Sequence, residues 1–358
     1  MMKKIEVFLK NILLKILLAL SSRKSIMKKD KLTDFKNVLF IRLNRIGDAL
    51  VSTPLLQLVK KNTGCGIFLL ADHKNYFAFN NNPDIDKLII FKKGLIGIYE
   101  IIRVIRENDI DTVVDLHDDV SATVSFIVAL SGVKNKFALK KGNELIYTKT
   151  IERPDRSKVH IVDRLLELAK LFNINSDKMQ MRIHYYPENG SFESVDDYLK
   201  NTFDSNKFLL GINISAGSQA RFWGINNYRL LLNFLKNYNI NCLLLAKPED
   251  FSLAKEIIDE ERFIFTSDFD KFCALISRLN FLFTPDTSTV HIAAAFNIPV
   301  FGIYVNYNTE EMIWTPYNTP YEAVITREPT LHNIKFNEVE QKLNPFLEKI
   351  LNSYAQKL

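Results

Sequence analysis

The chain has 358 residues, 47% of them apolar and 25% charged, with a net charge of +6 and three cysteines. That length suits about two domains, and the composition excludes global disorder and low complexity. Cys65, Cys242 and Cys273 stand far apart with no CxxC pair, which excludes a disulfide framework and a zinc ribbon and suits a reducing compartment. The charge is uneven: residues 1–36 hold ten Lys/Arg and three Asp/Glu, a net of +7, and the rest of the chain a net of −1. A nucleic-acid-binding body should carry its own basic face, so no nucleic-acid partner is expected.

The first 25 residues read MMKKIEVFLKNILLKILLALSSRKS. At helical spacing Ile5, Phe8, Leu9, Ile12, Leu13, Ile16, Ala19 and Leu20 share one face, and Lys3, Lys4, Lys10, Asn11 and Lys15 share the other. Lys10 and Lys15 interrupt any membrane span, and the longest uninterrupted apolar run, Ile16 to Leu20, is short for a signal peptide. The pattern predicts a basic amphipathic helix lying on an anionic membrane surface through residues 1–30. A signal or span, or a helix packed on the body, is the alternative.

The body begins with the apolar run Asn37–Leu43, a buried first strand, followed by helical spacing over residues 48–61. Strands are predicted at 67–70, 88–91 and 112–116, with helices at 96–108, 123–130 and 160–172. Residues 185–205 read as a connection and a helix. The alternation then restarts, with strands at 208–214, 241–245, 263–265, 281–284 and 300–303. Helices fall between them at 227–237, 253–259, 269–278 and 290–296, and a last helix covers 337–354. This α/β pattern implies two Rossmann-like domains with parallel sheets, facing each other across a cleft. The expected boundaries are a tail over 1–36, a first Rossmann-like domain over 37–190 and a second over 191–358. Ligands of open α/β sheets sit beyond the carboxyl ends of the strands, so the informative residues should follow the strands directly.

Three segments meet that condition. Arg42-Leu43-Asn44-Arg45-Ile46-Gly47-Asp48 closes the first strand. Asp48 either caps the next helix or acts as a general base, and Arg45 beside it could meet an anionic substrate. Ser215-Ala216-Gly217-Ser218 with Arg221 opens the second half. It is either an ordinary polar turn or a loop whose N–H groups and Arg221 hold a phosphate. It contains neither GxGxxG nor GxxxxGK[ST], which disfavours a nicotinamide oxidoreductase and a P-loop enzyme. Asp286-Thr287-Ser288-Thr289 with His291 and three alanines is either a well-capped helix with a buried Asp286 or an anion site at a helix start. Glu249, after another strand, is a solvated acid or a ribose ligand.

Together these segments resemble the ADP-heptose:lipopolysaccharide heptosyltransferase family, glycosyltransferase family 9. The resemblance also takes in Asp115-Leu116-His117-Asp118-Asp119 and His160-Ile161-Val162-Asp163-Arg164, and spans about residues 37–345. It implies a GT-B fold, with 37–190 as the acceptor side and 191–358 as the donor-binding side, and inverting sugar transfer with no metal and no cofactor. On it, Asp48 matches the catalytic base. Ser215, Ala216, Gly217, Ser218, Arg221, Asp286, Thr287, Ser288, Thr289 and His291 match the donor site, and Glu249 an acid near the ribose. Arg45, His117 and Arg164 match the acceptor side. The donor implied is a nucleotide diphosphate sugar, ADP-heptose first. The acceptor is a lipid-linked saccharide of lipopolysaccharide type, met at the cytoplasmic face of the inner membrane. Three departures surround the donor: Arg221 replaces Lys, Ser288-Thr289 replaces Gly-Pro, and Val305-Asn306-Tyr307-Asn308-Thr309 replaces a Gly-Pro-Thr-Asp-Pro stretch. They leave open another nucleotide sugar used for surface polysaccharide, or a silent membrane-bound sugar-nucleotide binder.

Overall fold

The computed structural model describes residues 35–175 and 180–356. The expected amphipathic helix of the tail therefore lies outside the described residues. Contacts divide the chain into two units, Met1–Asp155 with Ile161–Gln180, and Arg156–His160 with Met181–Leu358.

The first unit contains β1 (Asn37–Arg42), α1 (Ile46–Leu50), α2 (Thr53–Thr63), β2 (Gly66–Asp72), β3 (Lys87–Phe91), α3 (Leu95–Glu107), β4 (Thr112–Asp115) and α4 (Ala122–Leu130). It continues through β5 (Asn135–Leu139), β6 (Lys149–Ile151) and α5 (Ile161–Leu166), which tightens into a 3-10 turn over Glu167–Phe172. The sheet order is β3-β2-β1-β4-β5-β6, with every pair parallel. β1 is a continuous apolar run because both faces of a central parallel strand are covered. Leu39 and Ile41 enter one cluster with Ile101, Ile105, Val113, Val124 and Val128. Phe40 points the other way and stacks on Phe172 at 6.2 Å.

The second unit contains α6 (Asn189–Thr202), β7 (Leu209–Asn213), α7 (Ile225–Leu235), β8 (Asn241–Leu245), α8 (Phe251–Ile257), β9 (Ile264–Phe265) and α9 (Phe269–Ile276). Then come β10 (Phe281–Pro285), α10 (Thr289–Ala295), β11 (Val300–Val305), β12 (Tyr321–Thr326) and α11 (Phe336–Ala355). Its sheet order, β12-β11-β10-β7-β8-β9, repeats that of the first unit strand for strand. The core is aromatic. Trp223 is buried against Tyr228, Phe283 and Phe336, and its indole N–H donates to the Ile334 carbonyl at 2.8 Å.

The structure corrects several element expectations. The helix expected over 48–61 is two helices: the Val51 N–H closes α1 on the Gly47 carbonyl, and Pro54, which has no N–H to give, begins α2. The helix expected over 160–172 ends in 3-10 geometry. β5, β6 and β12 are strands that the pattern does not predict, because they are short or carry polar residues that mask the apolar run.

In each sheet the strand order reverses once, between β1 and β4 and between β7 and β10. That reversal splays the following loops apart and leaves a crevice at the carboxyl ends, where ligands of open α/β sheets bind.

Candidate functional site

At the first reversal the chemistry is ionic. Asp48 sits inside the first turn of α1, with Arg45 at the N-cap, so it does not cap the helix. Its Oδ1 takes the Arg42 Nη2 at 2.9 Å and the Asn44 amide at 3.4 Å. Arg42 is fully buried at the end of β1, and its other donors reach the Asp48 carbonyl at 2.9 Å and the Leu116 carbonyl. Burial pulls the Arg42 guanidinium down from its ordinary value, and Asp48, Asp115 and Asp118 oppose that shift. The Asp48 side chain stays 16% exposed. Among the described residues its side-chain hydrogen bonds fall on Oδ1.

Behind this lies a buried network at the end of β4. The Lys141 ammonium meets Asp115 Oδ2 at 2.7 Å, with both side chains fully buried, and Tyr147 donates to the same oxygen at 2.7 Å. Burial alone would raise the Asp115 carboxyl, but Lys141 and His117 outweigh it and hold it well below the usual carboxylate range. The Tyr147 hydroxyl is pushed up by burial and by Asp115. His117 gives Nδ1–H to Asp115 Oδ1 at 2.7 Å and accepts the Leu43 N–H on Nε2 at 3.2 Å. Burial lowers its pKa, which keeps it in this neutral tautomer.

Two of the residues expected on the acceptor side lie inside this network. His117 has both ring nitrogens in use and is buried, so it braces the loop that carries Asp48. The Arg164 side chain is 1% exposed and lies 3.4 Å from Asp118 Oδ2, so it too acts from within. Arg45 is exposed at the carboxyl edge.

At the second reversal the chemistry is neutral. Asn213, the buried last residue of β7, directs its side-chain NH2 at the Ser215 carbonyl, Thr284 Oγ1, Thr287 Oγ1 and Thr289 Oγ1, at 3.2, 3.0, 3.3 and 3.2 Å. Its Oδ1 accepts the Ser215 N–H at 3.1 Å. One amide therefore ties the 215–221 loop to the 284–289 loop. Ser288 is the N-cap of α10 and makes no side-chain cap bond, whereas Thr287 Oγ1 accepts the N–H of Thr289, the first residue of the helix, at 3.3 Å. The hydroxyl run thus serves both the helix start, through Thr287, and Asn213, through three threonines. Asp286 is half-buried rather than buried, and it takes Arg221 at 3.1 Å through its carboxylate and at 3.3 Å through its carbonyl.

Ser215 is occupied within the protein, donating to Asp250 at 2.8 Å and accepting the Lys247 N–H at 2.8 Å. Ala216, Gly217 and Ser218 form the open part of the loop, with Gly217 and Ser218 exposed. Glu249 is exposed, and the acid that the structure joins to this loop is Asp250. His291 is buried against Trp314, with ring centroids 6.0 Å apart. Burial, with His160 adding, pushes its pKa down to about 3, and its Nδ1 has no partner among the described residues.

The segment 156–160 belongs to the second unit and grips the loop after β11. Arg156 meets Glu311 at 2.8 Å and accepts the Met312 N–H at 2.9 Å, and His160 meets the Thr315 carbonyl at 3.1 Å and stacks on Tyr317. His160 and Arg164, adjacent in the motif, thus serve different units. Asn213, Arg42, Lys141 and Asp250 escaped the sequence reading. The one signal for the first two was a polar residue ending a fully apolar strand.

Among the described residues no helix is long and apolar enough to cross a membrane, and no group of three His, Cys, Asp or Glu is placed to hold a metal. The chain matches glycosyltransferase family 9 (heptosyltransferase) over residues 98–344, more than half its length. It is 19% identical over 299 residues to the lipopolysaccharide core heptosyltransferase OpsX of Haemophilus influenzae, covering 79% of this chain and 82% of that one. The crystal structure of a family 9 glycosyl transferase from Veillonella parvula superposes with a TM-score of 0.75 at 18% identity, covering 88% and 98% of the two chains. Escherichia coli heptosyltransferase WaaC with ADP superposes with a TM-score of 0.67 at 14% identity, covering 88% and 99%. These likenesses show a GT-B fold, and the family match makes the chain an enzyme: it belongs to glycosyltransferase family 9, the heptosyltransferases.

Proposed function

We propose that this glycosyltransferase moves a heptose from an ADP-heptose-type donor onto a lipopolysaccharide-core-type acceptor, with inversion and without a metal. The observation that carries the reading is Asp48, clamped by a buried arginine through one oxygen while its side chain stays 16% exposed at the carboxyl edge of the sheet. In one step the acceptor oxygen bonds to the anomeric carbon, its proton passes to Asp48, and the bond to the diphosphate breaks. Charge then grows on the departing diphosphate. Arg221 and the loop N–H groups of 216–218 and 287–289 supply preorganised positive potential for it. Arg221 would exchange part of its contact with Asp286 for the phosphates. His291 and Glu249 are assigned to the donor side, and Arg45 to the acceptor's anionic groups.

The relatives support the substrates: one is named for the lipopolysaccharide core, and a structural neighbour holds ADP. The acceptor would be lipid-anchored, which places the enzyme at the cytoplasmic face of the inner membrane, held by the cationic, apolar residues 1–30. The test is single turnover with ADP-heptose and truncated lipid acceptors, run with and without a chelator. Transfer with inverted anomeric configuration, unaffected by the chelator, is the expected result. Loss of turnover on chelation would overturn the metal-free mechanism. The altered loop after β11 favours including other nucleotide sugars. Equal turnover of a UDP-sugar would reassign the donor.

A further inference from the structure

The first turn of α3 holds apolar side chains in water. Leu95 is 84% exposed, Ile96 73% and Tyr99 68%. Positions 95, 96 and 99 lie together at the start of one helix face. Other exposed large apolar residues, such as Val120, Leu130 and Leu230, stand singly, and single ones need no explanation. The cluster is not a loose end. Ile98, Ile101, Ile102 and Ile105 bind the same helix to the core. Gly94 turns the chain at a φ of +94°, and a Cβ on Gly97 would lie 1.5 Å from the Lys92 carbonyl oxygen. The helix start is pressed against the preceding turn so closely that only glycine fits, and that packing holds Leu95 and Ile96 outward.

Cations border this turn. The Lys92 and Lys93 side chains are 72% and 68% exposed; Lys92 makes a surface pair with Glu100 at 3.1 Å that contributes little in water, and Lys93 reaches the largely buried Asp72 only at 3.7 Å. Because β3, β2 and β1 are parallel neighbours, their following loops leave the same end of the sheet in order. Lys92 and Lys93 come first, then the exposed His73 and Lys74, then the exposed Arg45. Asp48 follows at that edge.

We propose that this turn is a membrane-contact site of the folded body: Leu95, Ile96 and Tyr99 enter the boundary between headgroups and acyl chains, and Lys92 and Lys93 meet anionic phospholipid headgroups. Apolar tips beside cations, with a tyrosine whose ring is apolar and whose hydroxyl is wet, match that boundary on both counts. The site is separate from residues 1–30. Only its orientation, with Arg45 and Asp48 at the lipid-facing end of the sheet, rests on the reading of a lipid-anchored acceptor.

The test uses the full-length chain and vesicles of phosphatidylethanolamine with phosphatidylglycerol. Leu95→Ser with Ile96→Ser should weaken partitioning about tenfold or more. Lys92→Gln with Lys93→Gln should weaken it roughly tenfold on anionic vesicles at low salt, with little effect on neutral phosphatidylcholine. In a Cys242→Ser background, a polarity-sensitive fluorophore on Tyr99→Cys should shift to the blue on vesicles. Turnover of a short soluble acceptor should be unchanged by either double substitution. The proposal falls if the apolar pair binds vesicles like the wild type. It falls too if the fluorophore stays in water while the chain is vesicle-bound. Sedimentation showing that the apolar pair converts a dimer to a monomer would give the turn to a second copy and also overturn it. A wild-type chain that shows these vesicle effects without any sugar transfer would overturn the proposed function and leave this site standing.

Discussion

The two units share one strand order but fill their reversal points with opposite chemistry. In the first, charges are buried and matched: Arg42 on Asp48, Lys141 on Asp115 and Arg164 near Asp118. In the second, a neutral amide and three threonine hydroxyls do the joining, and the cation, Arg221, sits one-third exposed on a half-buried Asp286. A group that must hold one carboxylate in one orientation gains from buried countercharges, because their geometry is costly to change. On the proposed function, loops that accept a diphosphate gain from neutral donors and from a cation that can change partners. The same fold therefore carries two differently built crevices, and the loop residues at the reversal decide which chemistry is available at each.

The largest test is Asp48→Asn. It should lower kcat by about 10²–10⁴ with donor affinity nearly unchanged, because the lost term is proton transfer. Turnover at the wild-type level would remove Asp48 as the base and dissolve the contrast. The next is Lys141→Met. It strands Asp115 as a buried charge, and urea unfolding should show about 3–5 kcal/mol lost. A much smaller loss would mean that the first site is less ionic than its distances indicate.

On the other side, Arg221→Ala should weaken ADP binding by calorimetry by roughly 1.5–3 kcal/mol, with partial recovery in Arg221→Lys. Asn213→Ala should cost about 1–3 kcal/mol in stability or donor binding, since one amide holds both loops. Loss confined to stability would make Asn213 a fold residue with no bearing on the donor.

The last comparison sets the two buried histidines, His117 and His291, side by side. His291 ionises at about 3 when folded, against 6.5 as its ordinary value. Between those values the unfolded chain binds a proton that the folded chain refuses, so stability falls as pH drops through that window. The slope from one such group is about 1.4 kcal/mol per pH unit. His117 is shifted the same way, so it adds to the same acid side. His291→Asn should make the stability curve shallower between pH 6 and 4, read by urea unfolding at each pH, and an unchanged slope would show that the ring is solvated.

What the sequence by itself determined is local. Apolar runs such as Val38–Ile41 and Phe281–Phe283 marked central strands because burial on both faces demands unbroken apolar residues. The Ile46-Gly47-Asp48 turn, the Ala216-Gly217-Ser218 loop and the Asp286–His291 segment were legible because glycine, small residues and hydroxyls cluster over a few positions. Tertiary structure decided who meets whom. Asn213 finds its threonines 71 to 76 residues away, His117 finds Leu43 at 74, and Lys141 finds Asp115 at 26. No local pattern encodes such partners, because crossover connections set which strand ends become neighbours. That same arrangement turned His117 and Arg164 inward, left Glu249 outside the loop network, and placed Leu95 and Ile96 in water on an otherwise well-anchored helix.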